Sequence, residues 1–271
     1  MKHSEIKKVV REGYGKIAKT NSSCCAPTSS CCGGSSADDT SRKIGYTDEE
    51  LSSVPEGANL GLGCGNPVAF ASLKKGETVM DLGSGPGFDC FLAANKVGKS
   101  GKVIGIDMTP EMLDRARENA RKGNYKNVEF RLGEIENLPA ADNSVDAVIS
   151  NCVINLAPDK KRVFKEAFRV LKPGGRLMVS DIVLTKELPD NIKDSMEAYI
   201  GCIAGAISKD EYIMAIKYAG FRDVRIVGES YYLELMNDPG IRDLIEKINI
   251  PPDVVKEIAE SMVSVKVQGM K

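Results

Sequence analysis

Apolar positions organise this chain before any motif does. Near the start, Ile6, Val9, Val10 and Ile17 recur at helical spacing, which predicts an amphipathic helix over residues 1 to about 20. From residue 77 the period changes. ETVMDLG, KVIGIDM, VEFRLG, VDAVISN and RLMVSDIV are short apolar runs of strand length. Between them, FDCFLAANKVG, PEMLDRARENARKGN and DKKRVFKEAFRVLKPGG carry the helical pattern. Thr109 with Pro110 opens the second of these helices, and Pro-Gly-Gly closes the third. Strands alternating with helices predict an α/β fold, a doubly wound and mostly parallel sheet of Rossmann-like type. Around this core, YTDEEL from Tyr46 has the form of a capped helical turn. Residues 188–206 suggest a helix, and Ser208 with Glu211 has capping-box spacing for another that ends near Gly220. VRIVGE and YYLELM predict two further strands at an antiparallel edge, and residues 239–271 read as helical.

One segment breaks the pattern. TNSSCCAPTSSCCGGSSADDTS is rich in Ser and Gly with almost nothing large to bury, so it predicts a flexible loop. Composition adds exclusions. With 37 basic against 38 acidic residues in 271, the formal net charge is −1, which favours neither nucleic acid nor an anionic membrane as partner. No run of membrane-spanning length occurs, and MKHSEIKKVV lacks the apolar core of a signal peptide, so a cytoplasmic protein is expected. Eight cysteines then carry information: 24, 25, 31, 32, 64, 90, 152 and 202. A reducing compartment disfavours a disulfide framework and leaves metal or metalloid ligands, catalytic thiols or small buried residues.

The turn MDLGSGPGFDC joins the first strand to its helix. Gly83 and Gly85 let the backbone turn sharply against a ligand, and Gly87 permits tight entry to the helix. Asp107 ends the next strand, where an acid receives ribose hydroxyls in nucleotide-binding α/β folds. The G-x-G-x-G spacing is not the dinucleotide pattern, which disfavours a dehydrogenase, and no triphosphate-binding loop is present. Asp81 would repel a pyrophosphate and suits a cation.

DLGSGPGFD, VIGIDM, GEIENLP and LKPGGR, in that order, resemble the motifs of class I S-adenosylmethionine methyltransferases over residues 77–182. The resemblance implies that Asp81, Gly83, Ser84, Gly85 and Gly87 lie by the methionine part of the cofactor. It places Asp107 on the ribose with Met108 beside it, and Glu134 with Ile135 at the adenine. Asn151 and Asn155 are candidates for orienting the cofactor's amino-acid end.

Three cysteines outside the loop have distinctive settings: Cys64 in GLGCGNP, Cys152 in SNCVINLAPDKKRV and Cys202 in YIGCIAGA. Together with the tandem Cys-Cys pairs, these segments resemble arsenite S-adenosylmethionine methyltransferases over about residues 10–220. The resemblance implies that Cys64, Cys152 and Cys202 surround the arsenic and act as the catalytic thiols, joined by one of Cys24, Cys25, Cys31 or Cys32. Cys90 matches no thiol role and reads as a packed residue. The chemistry agrees. Trivalent arsenic is soft and takes thiolates, and its lone pair needs no general base to accept a methyl group, so a single histidine is no obstacle. The expected activity is methylation of arsenite, free or as a thiol conjugate, and of methylarsenite, for detoxification. Reduced thioredoxin or glutathione would restore the thiols. The expected division is a Cys-rich arsenic-binding segment at 1–60, a cofactor-binding core at 61–182, and a part at 183–271 that completes the sheet and covers the arsenic site. Residues 1–35 are expected to act on arsenic without belonging to the cofactor site. Two alternatives stand beside this reading. A quinone-ring C-methyltransferase shares the cofactor motifs without needing the thiols, and a soft-metal sequestration or sensing protein needs the thiols without the glycine turn.

Overall fold

The structure, a computed structural model, describes residues 3–20, 37–187, 205–231 and 260–271. Seven strands form one sheet in the order β3-β2-β1-β4-β5-β7-β6. They are β1 (Thr78–Leu82), β2 (Lys102–Asp107), β3 (Val128–Leu132), β4 (Val145–Asn151), β5 (Leu171–Leu184), β6 (Arg222–Tyr231) and β7 (Met262–Met270). β1 to β5 pair in parallel, and β7 runs antiparallel between β5 and β6. The principal helices are α1 (His3–Thr20), α5 (Phe88–Val97), α6 (Pro110–Lys122), α7 (Lys160–Val170) and α8 (Lys209–Tyr218). Shorter helical pieces are α2 (Ala37–Lys43), α3 (Asp48–Ser52) and α4 (Pro67–Phe70).

The strand pleat explains the two-sided core. Successive side chains leave a strand on opposite faces. Met80, Leu82, Ile104, Ile106 and Val148 accordingly pack on one face with Phe164 of α7 and Tyr212 of α8. Val79, Val103, Ala147 and Ile149 pack on the other with Phe91 of α5 and Leu113 of α6. Burial on both faces is why these strands read as continuous apolar runs rather than alternating ones. The local signals also hold. Thr47 and Ser208 each close a reciprocal capping box with the glutamate three residues on. Thr109 occupies the N-cap position of α6, but its side chain makes no capping bond; its amide donates to Asp107 Oδ1 at 2.8 Å. α7 stops at Val170, before the Pro-Gly-Gly expected to close it, and residues from Leu171 already pair with β4.

The C-terminal expectation requires correction. Met262–Met270 is a strand, not part of a helix. MVSVKVQGM alternates with period two, and Val263, Val265 and Val267 pack into the core on one face. The predicted VRIVGE strand is the body of β6, which continues to Tyr231; the rest of YYLELM lies outside the described residues. The expected helix carrying Cys202 and the Cys-Cys loop lie outside them as well. Among the described residues no helix is long and apolar enough to cross a membrane.

Candidate active site

Strand order reverses between β1 and β4, and in open α/β sheets a ligand crevice opens at the strand C-termini beside such a reversal. A cavity of about 1050 Å³, counted out to its open mouth, lies there. β1 delivers Asp81 and then the turn. Gly83 has φ +73°, and a side chain at that position would run into Val153. Only glycine accommodates both conditions.

Eight residues expected at the cofactor line the cavity: Asp81, Gly83, Ser84, Gly85, Asp107, Met108, Ile135 and Asn151. Gly87 stands behind it as the N-cap of α5. Glu134 does not line it either. Its carboxylate turns to α1, where it meets Lys7 at 2.7 Å and Arg11 at 3.6 Å. The lining acid of that loop is Glu136, two residues on, itself 3.0 Å from Lys7. Asn155 is fully buried and does not line the cavity; its amide donates to the Ile182 carbonyl at 2.7 Å. α1 also departs from expectation, because Lys7, Val10 and Tyr14 form part of the wall. α1 therefore belongs to the cavity as well as preceding the tandem cysteines in sequence.

The electrostatics favour a cation. Asp81, Asp89 and Asp107 all line the cavity. Burial lifts each carboxyl above its ordinary range, Asp89 to about 6, even though Tyr46 and Asn151 donate to Asp89 at 2.7 and 3.0 Å. Asp107 is fixed by amides from both sides, Gly85 at 2.9 Å and Thr109 at 2.8 Å. The Thr109 hydroxyl and the Met108 backbone amide bond to the same carboxylate, so four protein donors hold it at the strand end where an acid receives ribose hydroxyls. Ser84 Oγ is buried with no hydrogen-bond partner among the described residues. Leu60, Leu62 and Met112 add an apolar wall. A sugar acceptor, acids for positive charge, an unpaired hydroxyl and an apolar slot together fit S-adenosylmethionine.

At the cavity's edge β4 ends and the chain turns at Cys152, which has φ +56°. This left-handed conformation is uncommon for a residue with a Cβ and costs of order 1 kcal/mol. The Cys152 amide donates to the Ser180 carbonyl of β5 at 2.8 Å. Cys64 arrives from the glycine loop before α4. Its amide donates to Asn151 Oδ1 at 3.0 Å, and its carbonyl accepts from Ser264 of β7 at 2.6 Å. Asn151 also donates to Gly65 O and to the Tyr46 hydroxyl, both at 2.8 Å. The fold so joins two thiols distant in sequence. Cys64 Sγ, Cys152 Sγ and a carboxylate oxygen of Asp181 lie within 4.8 Å of one another, all buried. Cys90 is instead packed between sheet and α5, its thiol 3.2 Å from Asp81 Oδ2, which matches its reading as a packing residue. Cys202, Cys24, Cys25, Cys31 and Cys32 lie outside the described residues.

Sequence reasoning missed Tyr46, Asp89, Glu136 and Asp181. A usable signal existed for Asp89, an acid in the first turn of the helix that the glycine turn opens. It existed too for Asp181, an acid inside the apolar run LMVSDIV.

Sheet order, reversal point and acid-lined cavity define the class I methyltransferase fold, whose methyl donor is S-adenosylmethionine. Comparison with known proteins agrees. A family model described as a methyltransferase domain matches residues 73–220. An arsenite methyltransferase of Halobacterium salinarum is 49% identical over 241 residues, 86% of this chain and 62% of that protein. One of Aquipseudomonas alcaligenes is 39% identical over 231 residues, 80% of this chain and 62% of that protein. A solved arsenic(III) S-adenosylmethionine methyltransferase from Chlamydomonas reinhardtii matches with a TM-score of 0.64 at 32% identity, covering 86% of this chain and 73% of that one. The chain belongs to the methyltransferase family. It spans about 60% of the length of the curated relatives it matches.

Proposed function

We propose that this chain methylates trivalent arsenic, with arsenite as first substrate and methylarsenite as second. The observation that carries the reading is the buried pair Cys64 and Cys152 at the edge of the cofactor cavity. Thiolates are the ligands a soft centre selects. A quinone-ring methyltransferase gives that pair no work, and a sequestration protein gives the acid-lined cavity none. The arsenite methyltransferases among its relatives and the algal structure support the same choice.

S-adenosylmethionine, when bound, supplies an electrophilic methyl group on a sulfonium. Asp107 would hold the ribose and Ile135 the adenine face, with Met108 beside them. Asp81, Gly83, Ser84 and Gly85 would receive the methionine end. The chain's remaining task is to place arsenic. Bound by thiols, arsenic keeps its lone pair, and that pair forms the new bond without any proton being removed. Catalysis is then mostly positioning and exclusion of water. Cys202 is the third thiol of this reading, and one of Cys24, Cys25, Cys31 or Cys32 a fourth. Thioredoxin or glutathione would keep the thiols reduced in a cytoplasmic setting. Cys152→Ser and Cys202→Ser should abolish turnover of both substrates, because a protonated hydroxyl replaces a soft thiolate. Cys64→Ser should lose arsenite turnover and keep much of the methylarsenite reaction, which needs one ligand fewer. Equal loss of both reactions in a folded Cys64→Ser protein would refute that division of roles.

A further inference from the structure

The third corner of the thiol site is an oxygen, and a soft centre does not select a carboxylate. Asp181 lies on β5, 1% exposed, among Cys64, Cys152, Leu156 and Ile182. A carboxyl placed there among apolar groups is costly unless its oxygens are occupied. The fold occupies three of about four acceptor positions. Ile182 N–H donates to Oδ1 at 3.0 Å, the Tyr212 hydroxyl donates to Oδ2 at 3.1 Å, and the Asn155 backbone N–H contributes a third bond. Tyr212 is itself fully buried on α8 and meets Phe164 edge-on at 5.4 Å. These partners fix the carboxyl in place beside the two sulfurs.

Arsenite binding two thiols obeys a simple balance. As(OH)3 and two Cys–SH give (Cys–S)2As–OH and two waters. Two As–O bonds break, two As–S bonds form, each thiol proton leaves in a water, and nothing is oxidised or reduced. One hydroxyl remains on arsenic, and with Cys64 and Cys152 as the thiols it falls in the space that Asp181 borders. We propose that Asp181 is a substrate-contacting residue that accepts the hydrogen bond of this remaining hydroxyl, so that the arsenite form captured first is the dithiolate hydroxide. This rests on the arsenic reading above and deepens it. Asp181 distinguishes arsenite from arsenicals that have no hydroxyl left after two thiols are bound, and Tyr212 is its positioning residue.

The test compares two ligands on the full chain with Cys24, Cys25, Cys31, Cys32 and Cys202 changed to Ser, so that Cys64 and Cys152 are the thiols left for arsenic at this site. Arsenite keeps one hydroxyl on two thiols; phenylarsine oxide, hydrated to PhAs(OH)2, keeps none. By calorimetry, Asp181→Ala should weaken arsenite about tenfold, the loss expected for one buried hydrogen bond. Its affinity for phenylarsine oxide should stay within about twofold. Tyr212→Phe, which leaves the carboxyl but unlocks it, should give a smaller loss confined to arsenite. If Asp181→Ala does not fold, Asp181→Asn carries the same comparison, with an arsenite-selective loss of at least about threefold expected. Equal weakening of both ligands, or of neither, overturns the proposal. If the substituted protein binds no arsenite while the unsubstituted chain does, first capture by Cys64 and Cys152 is overturned; if the unsubstituted chain binds neither arsenical, the arsenic reading fails and the role of Asp181 falls with it.

Discussion

Asn151 ties the cofactor cavity to the thiols, and removing its amide should be felt on both sides. The side chain accepts from Cys64 N–H at 3.0 Å and donates to Gly65 O at 2.8 Å, to the Tyr46 hydroxyl at 2.8 Å and to Asp89 Oδ2 at 3.0 Å. The glycine loop lies so close that a Cβ at Gly63 would stand 2.6 Å from Asn151 Nδ2. Asn151→Ala strands the Cys64 amide and the Gly65 carbonyl and takes a donor from an already perturbed Asp89. Each lost bond is worth about 1 kcal/mol net, and each orphaned group costs about 1–3 kcal/mol if water does not reach it. The cavity lets water reach part of this cluster, so the expected destabilisation is about 2–3 kcal/mol. Urea denaturation measures it, and arsenite affinity should fall together with stability because Cys64 loses its anchor. A loss below about 0.5 kcal/mol would show that the Cys64 loop is held from elsewhere and would refute this account of the coupling.

Three further outcomes follow from the cavity. Asp107→Ala should weaken S-adenosylmethionine binding by about 1.5–3 kcal/mol by calorimetry, through loss of charge-assisted bonds to the ribose; unchanged affinity in the folded variant would exclude the assignment. A cation favours ionised Asp89, so cofactor affinity should be full above its pKa of about 6 and fall as pH drops through it, by at most tenfold per unit, while Asp89→Asn should be flatter. Stability runs the other way: an acid raised from 3.8 to about 6 contributes stability that is present below pH 3.8 and lost as pH rises to 6, which denaturation at pH 5 and 7 detects. Deleting residues 1–35 should weaken cofactor binding several-fold, because Val10 and Tyr14 wall the cavity and Lys7 pairs with Glu136; unaltered affinity would show that α1 is dispensable there.

Local chemistry was legible in the chain, and tertiary chemistry was not. The parallel strands announced themselves because burial on both faces demands unbroken apolar runs, and MDLGSGPGFD announced the cavity because only glycine fits its turn. Cys64 and Cys152 were singled out by their flanking residues, although no spacing rule reveals that they meet. β7 did carry a strand signal, since Val263, Val265 and Val267 alternate with Ser264, Lys266 and Gln268, but it lies within residues 239–271, whose overall composition reads as helical. Lys266 is nonetheless buried, opposite Ser180 in the sheet and 5.6 Å over the Phe70 ring, a partnership that only the folded sheet creates. Glu134 was expected at the adenine, yet Glu136 is the acid of that loop that lines the cavity. Two acids in one loop are equivalent in sequence until α1 claims the first with Lys7 and Arg11. Asp181 was visible as an acid inside an apolar strand, but its meaning depends on Tyr212 and two cysteines from elsewhere in the chain.

The central claim is that this cavity and these thiols transfer methyl groups to arsenic. It is tested most directly by incubating the purified chain with arsenite, a reduced thiol and methyl-labelled S-adenosylmethionine, then separating the arsenic species. The account predicts label in methylated arsenic, and none from a Cys152→Ser protein that still binds the cofactor. Cofactor binding with no label reaching arsenic, or undiminished labelling by Cys152→Ser, would contradict it.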